Sequence, residues 1–130
     1  MTLIRCARSA ILILSLVPAY ASEPFPFGAE LMLDSGPLYG SKRIPMIEIE
    51  EDGTAAIDLW CATTRAQVAV GDSSMSILAE VPVAAQCASE RATGDQDLLT
   101  ALAQVTNWRR NGDIVELSGA TTLRFRLMTN

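Results

Sequence analysis

The sequence contains no histidine, a single lysine and only 5% aromatic residues, and these shortages exclude several classes of function. Without histidine the chain lacks the commonest metal ligand and the side chain that most often acts as a general base near neutral pH. Lysine and arginine number 10 against 15 acidic residues, a formal net charge of −5, whereas nucleic-acid-binding proteins carry a basic surface. The apolar fraction of 49% is too high for a disordered chain. We therefore expect one folded domain that binds no nucleic acid and needs no cofactor.

Long apolar runs are also missing, and the one short run lies near the N-terminus. Arg5 and Arg8 precede the apolar residues 10–17, after which a proline and an Ala-Tyr-Ala sequence follow. This run is about half of the ~20 residues that a membrane span needs, so no stable span is expected. The pattern predicts a secretory signal peptide over residues 1–21 that is cleaved before Ser22, where no cysteine is available for a lipid anchor. We expect the protein in the periplasm or outside the cell.

Cysteine is scarce as well. The sequence has three cysteines, and cleavage before Ser22 would leave only two of them. Cys61 and Cys87 are far apart in sequence, without a C-x-x-C motif or a flanking basic cluster that would indicate a redox centre. Two cysteines in an exported chain most simply form one disulfide. We therefore predict a structural disulfide between Cys61 and Cys87.

Alternation of apolar and polar residues predicts short strands through most of the chain. Residues 22–43 are predicted to form an extended lead-in that contains a first strand over residues 29–33. Further strands are predicted over residues 44–50, 55–61, 66–70, 74–78, 108–110, 113–118 and 121–128. Asp-Gly and Asn-Gly pairs at Gly53 and Gly112 predict tight hairpin turns, because glycine accepts positive φ.

One helix is predicted to interrupt these strands. Thr93 and Gln96 fit a capping box, and Asp95 would then lie in the first turn, where the helix dipole favours negative charge. Apolar residues recur at helical spacing at Leu98, Leu102 and Val105. Thr93 would then be the capping residue just before the helix, and the helix should end near Thr106. The predicted fold class is α+β, a mostly antiparallel sheet in a small barrel-like meander with the helix before the last two or three strands.

The C-terminal part contains an acidic, apolar helix, which is followed by an aromatic residue and a Gly-Asp turn. Two strands come next and end in a leucine and an aromatic residue. The residues in this order are Leu98, Leu99, Leu102, Val105, Trp108, Gly112, Asp113, Leu117, Leu123 and Phe125. This order resembles the signature of the META domain (HslJ-like) family, which often has cysteines where Cys61 and Cys87 stand. The chain departs from the family pattern at Trp60 and Ala62, where a glycine and an asparagine are usual.

The resemblance places the domain core at residues 44–130 and implies a small, mostly antiparallel domain with one helix. It also implies an exported or envelope-located bacterial protein. The family is linked to the heat-shock response and to novobiocin resistance, and it has no established enzymatic activity. The resemblance therefore supplies no catalytic residues.

Two groups of carboxylates are candidates for chemistry, and both are better explained as surface charge. Glu48 and Glu50 share one strand face at a spacing suited to glycoside hydrolysis, but we expect that face to be solvated, with nothing apolar to raise either pKa. A second group surrounds the predicted turn at Gly53: Glu50, Glu51, Asp52 and Asp58. A calcium site needs six or more oxygens in an organised loop, so we interpret this second group as an acidic hairpin.

Four arginines form the candidate anion- or partner-binding patch, namely Arg109, Arg110, Arg124 and Arg126. The alternative is that they form cross-strand ion pairs with Glu116, Glu48 or Glu50. Strand alternation also places Trp60 opposite Ile57 and Leu59, and therefore predicts an exposed indole.

Together with the resemblance to the META family, these features predict a non-enzymatic envelope domain, stress-related or accessory, that binds a protein or a small amphiphile. We expect a monomer. The alternative is a periplasmic inhibitor of a cell-wall hydrolase of the lysozyme-inhibitor type, because an acidic β-domain would be steered onto a basic enzyme. A third hypothesis, a barrel that carries apolar ligands, requires an open interior.

Overall fold

The computed structural model describes residues 23–36, 38, 41–83 and 86–129. The predicted signal peptide lies outside the described residues. The described part contains eight strands and one helix. In chain order they are β1 (Glu30–Leu33), β2 (Met46–Ile49), β3 (Thr54–Asp58), β4 (Thr63–Val70), β5 (Met75–Ala79), α1 (Ser89–Ala103), β6 (Asn107–Asn111), β7 (Ile114–Ser118) and β8 (Thr122–Leu127).

All eight strands belong to one antiparallel sheet in the order β5-β4-β3-β2-β1-β8-β7-β6. The first and last strands are neighbours, with Leu31 opposite Leu127. The two edge strands approach each other at a single bridge between Ser74 and Asn107, so the sheet is a nearly closed barrel. Helix α1 joins these two edges along the chain, between β5 and β6. The predicted α+β class, with a barrel-like antiparallel sheet and one helix, is confirmed.

The predicted hairpin turns at Gly53 and Gly112 are both present. Their φ angles are +88° and +61°, in the region that side chains with a Cβ rarely adopt. A Cβ at Gly53 would also lie 2.9 Å from the Val68 carbonyl oxygen, so the turn needs glycine for space as well.

Alternate residues of each strand point inward, as the sequence predicted, and fill the interior of the barrel. The largest of the almost fully buried side chains are Phe125, Leu31, Ile47, Ile49, Ile57, Leu59, Leu102, Leu117 and Val115. Helix α1 contributes Leu98 and Leu102 to this core, and the loop after it contributes Val105. Because these described side chains occupy the interior, the structure gives no support to a barrel that carries apolar ligands inside.

The helix begins five residues earlier than predicted, at Ser89, and ends at Ala103. The predicted capping box is therefore wrong. Thr93 and Gln96 lie inside the helix, and the residue before it, Ala88, makes no side-chain capping hydrogen bond. Glycine usually disfavours a helix interior, which is why the sequence around Gly94 resembles a helix start. The structure uses Gly94 for close packing, since a Cβ there would lie 3.0 Å from Cδ1 of Trp60.

Trp60 is buried, with 6% of its surface exposed, so the predicted exposed position is wrong. Strand β3 ends at Asp58, two residues before Trp60, and the chain bends at residues 60 and 61. Strand alternation no longer determines the direction of a side chain beyond that bend. The indole packs against helix α1 at Gly94.

Candidate functional site

The loop between β3 and β4 is tied to the segment before α1 by a disulfide between Cys61 and Cys87, with Cα atoms 5.9 Å apart. The predicted disulfide is thus confirmed. Disulfides persist in oxidising compartments, so this bond indicates a location outside the cytoplasm. Among the described residues, no helix is long and apolar enough to cross a membrane.

A buried carboxylate holds the same loop from the other side. Asp95 is 4% exposed and accepts hydrogen bonds from the backbone N–H groups of Cys61, at 3.2 Å, and Ala62, at 2.9 Å. Arg43 donates to the Cys61 carbonyl oxygen at 3.0 Å and lies 3.1 Å from the Asp58 carboxylate. These contacts give Asp95 a structural function, because both of its oxygens are engaged by the backbone of the loop.

The candidate arginine patch is divided between two places in the structure. Arg109 on β6 and Arg124 on β8 lie on either side of Glu116 on β7, in direct cross-strand register. Arg109 is 2.6 Å from Glu116, while Arg124 and Arg126 lie 3.3 Å and 3.7 Å from Asp34. Positive and negative side chains therefore alternate along this face of the sheet.

Arg110 lies apart from the other three, because successive residues of a strand point to opposite faces. Its guanidinium is 3.3 Å from the Glu23 carboxylate and donates to the carbonyl oxygens of Pro24, at 3.1 Å, and Gly112, at 2.9 Å. Glu23 also accepts the Gly112 N–H at 3.1 Å. Arg110 thus fastens the N-terminal lead-in to the β6–β7 hairpin.

Glu48 differs from the sequence prediction of an ordinary surface carboxylate. A hydrogen bond with Glu50, partial burial and the negative charges of Glu50 and Glu30 all raise the pKa of Glu48. Glu30 stands directly opposite Glu48 in the β1–β2 register. The largest of these causes is a polar neighbour, the hydrogen bond with Glu50, whereas the sequence prediction concerned only apolar neighbours. The cleft beside Glu48 measures about 60 Å³, however, and ligand sites usually measure about 300–1,000 Å³.

The acidic hairpin around Gly53 is organised by its own side chains. Asp52 accepts hydrogen bonds from the Thr54 hydroxyl, at 2.6 Å, and from the Thr54 N–H, at 2.9 Å, and these bonds lower the pKa of Asp52. In the part of the chain that the structure describes, no group of three or more acidic or cysteine side chains is placed to hold a metal ion.

An aromatic cleft of about 540 Å³, here called the Phe27 cleft, lies where the lead-in meets the edge of the barrel. Phe25 packs edge-on against Trp108 of β6, with ring centroids 5.1 Å apart, and Phe27 lies 4.9 Å from Phe25. Glu23 and Asp72, which lies in the turn after β4, also line the cleft. Its volume is within the range of sites for small organic ligands.

Phe25 and Trp108 form the buried base of the Phe27 cleft, whereas Phe27 remains 37% exposed. The indole Nε1 of Trp108 donates to the Gly71 carbonyl oxygen at 2.8 Å, which holds the β4–β5 turn against β6. The cleft therefore has a fixed aromatic base and an accessible ring at its rim.

Sequence reasoning identified none of these residues as a site. The lead-in contains two of the three phenylalanines of the chain, each preceded by a proline, and this was the available signal. Its connection with Trp108 and Asp72 arises only from the closure of the barrel, which brings residues far apart in sequence together.

The comparisons with known proteins give one family and no individual relative. No curated protein and no solved structure matches the chain significantly. The family model of the META domain matches residues 29–130, from the first strand to the C-terminus. Glu23, Phe25 and Phe27 precede that range, so part of the Phe27 cleft lies outside the family match. With this match over most of its length, the chain belongs to the META domain family.

Proposed function

We propose that this protein is a non-enzymatic, exported envelope domain of the HslJ-like type that binds a small amphiphile in the Phe27 cleft. The proposal depends chiefly on one observation. A cleft of about 540 Å³ combines an accessible phenylalanine with a buried aromatic base and two carboxylates. An amphiphile needs an apolar surface for its body and a polar rim for its headgroup, and the cleft offers both.

Export is supported by the disulfide between Cys61 and Cys87 together with the signal-peptide pattern of residues 1–21. A periplasmic location and an accessory or stress-related role fit the META family. The family match does not favour the alternative of a hydrolase inhibitor. A binding function in place of catalysis is supported by the lack of histidine and by the small cleft beside Glu48.

The binding proposal is tested with Nile red, a neutral apolar fluorophore, on the full chain expressed with residues 1–21 and recovered after export. We expect saturable binding at one dye per chain. Phe27→Ala should weaken this binding, whereas Leu78→Ala, which removes an exposed apolar side chain elsewhere, should leave it unchanged. Phe27→Leu is a second variant that keeps an apolar side chain. An absence of saturable binding, or equal loss in the Leu78 variant, would contradict the proposal.

The same preparation tests export. Mass spectrometry of the recovered protein should give a chain that begins at Ser22 and retains both Cys61 and Cys87. A recovered chain that still carries residues 1–21 would contradict cleavage at this site.

A further inference from the structure

We infer that the Phe27 cleft selects cationic amphiphiles, that is, organic ammonium compounds with an apolar body. This inference rests on the proposed function and names the ligand class of the same cleft. It is carried by the hydrogen-bonding character of the side chains that line the cleft.

The polar side chains at the cleft are acceptors. Glu23 and Asp72 are the charged side chains of the lining, and an ionised carboxylate accepts hydrogen bonds but donates none. The one side-chain donor there, Nε1 of Trp108, is already bonded to the carbonyl oxygen of Gly71. An anionic headgroup would therefore find no available side-chain donor in the lining and would meet the Asp72 carboxylate. A neutral sugar headgroup would lack partners for its acceptor oxygens.

Arg110 and the Gly112 N–H already engage the Glu23 carboxylate, so Asp72 is the carboxylate of the lining that is left for a ligand. Arg110 pairs with Glu23, but the guanidinium is engaged by the carbonyl oxygens of Pro24 and Gly112 and does not line the cleft. Asp72 has no basic side chain within ion-pair distance among the described residues. Asp72 therefore retains its negative charge for a ligand.

The aromatic residues favour the same ligand. An ammonium group over the face of a phenylalanine or tryptophan is attracted by the quadrupole of the ring. Phe27 lines the cleft and is accessible, and Phe25 and Trp108 provide an apolar base beneath it for the body of the ligand. The formal net charge of −5 adds long-range attraction for cations.

The test compares three amphiphiles that share a dodecyl chain and differ only in headgroup. Dodecyltrimethylammonium, dodecyl sulfate and dodecyl maltoside are titrated below their micelle concentrations into the exported full chain, with calorimetric detection. We expect the ammonium compound to bind about tenfold more tightly than the other two, as a cation–π contact at a partly desolvated site implies. Raising the salt concentration should weaken its binding.

Two variants test whether the preference for the ammonium compound arises in the Phe27 cleft. Phe27→Ala should weaken ammonium binding about tenfold, and Asp72→Asn should weaken it about two- to fivefold, as for an exposed charge pair. Asp97→Asn, an exposed charge change on helix α1, is the matched control and should have no effect.

Equal binding of the three headgroups, with loss in Phe27→Ala, would overturn the cationic preference and leave the proposed amphiphile site intact. Equal weakening by Asp72→Asn and Asp97→Asn would also overturn the preference, because it would show general attraction to an acidic surface. Absence of binding by all three amphiphiles, or binding that Phe27→Ala does not weaken, would overturn both the preference and the proposed site.

Discussion

The carboxylate of Asp95 accepts the backbone N–H of Ala62 at 2.9 Å, a contact between residues 33 positions apart. Its other oxygen accepts the N–H of Cys61, so one helical side chain replaces the backbone partners that the loop after β3 lacks. The disulfide at Cys61 fixes the same loop to the segment before the helix. Helix α1 is therefore attached to the sheet by both covalent and polar contacts.

Removal of this carboxylate should be costly. Asp95→Ala would leave the N–H groups of Cys61 and Ala62 without their acceptor, and we expect a loss of about 2–4 kcal/mol in the free energy of unfolding. Asp95→Asn retains an acceptor oxygen and should cost less. Urea denaturation measures both values, with Asp97→Ala as the control, because Asp97 is exposed on the same helix. A loss below about 0.5 kcal/mol for Asp95→Ala would show that the contact is unimportant.

The disulfide should stabilise the fold substantially. It closes a loop with a sequence separation of 26 residues. For a loop of about that length, chain entropy predicts a contribution of about 3.5 kcal/mol. Replacement of both Cys61 and Cys87 by serine should lower the free energy of unfolding by this order. Thiol labelling of the unfolded, unreduced, exported chain should find no free cysteine, and labelling of both would contradict the bond.

Glu48 should make stability depend on pH. Its pKa in the folded state lies above the ordinary value of 4.5, so the folded chain holds this proton more tightly than the unfolded chain does. The contribution of Glu48 to the free energy of unfolding is fully present below the ordinary pKa and is lost as the pH rises through the raised pKa. Glu48→Gln removes the repulsion from Glu30 and Glu50, and should therefore stabilise the protein by about 0.2–1 kcal/mol near pH 7.

Near pH 4 and below, the same variant should show little or no gain, because Glu48 is then largely protonated in the wild type. Denaturation curves at both pH values measure the difference. Glu51→Gln, an exposed carboxylate change at the neighbouring turn, serves as the control. A gain that is equal at both pH values would rule out the repulsion as the cause.

Gly119 should tolerate no side chain. A Cβ at this position would collide with the backbone carbonyl of Gln104 at the end of α1. Because a backbone atom cannot rotate away, Gly119→Ala should destabilise the protein by about 1–3 kcal/mol. Gly36→Ala is the matched control, since nothing lies within 4 Å of its Cβ position. Thermal unfolding of the two variants gives the comparison, and equal midpoints would contradict the predicted collision.

Local patterns predicted the strands well because each strand faces the core on one side and solvent on the other. The segment containing Ile47 and Ile49 shows this alternation, and both residues are buried. The direction of Trp60 was predicted wrongly because it depends on the bend at residues 60 and 61 and on packing against Gly94, which is distant in sequence. The start of the helix was predicted wrongly for a related reason, since Gly94 allows close packing inside the helix and does not mark its start.

The candidate site was harder to predict from the sequence than the fold was. The three aromatic residues of the Phe27 cleft come from the lead-in and from β6, which meet only when the barrel closes. The ion pair between Glu23 and Arg110 was not predicted for the same reason, because the two residues are 87 positions apart and no local sequence pattern links them. The disulfide, by contrast, followed from the number of cysteines and the expected compartment.

The pairing of Leu31 with Leu127 has a consequence for the order of folding. If the chain were joined at its ends, the strands would form one uninterrupted meander from β6 through β8 and β1 to β5, with α1 bridging the remaining gap. In the actual order of the chain, the break in that meander falls between β8 and β1. Strand β1 therefore gains its second neighbour only after the last strand has been synthesised and delivered. An incomplete chain that lacks β8 therefore cannot finish the barrel.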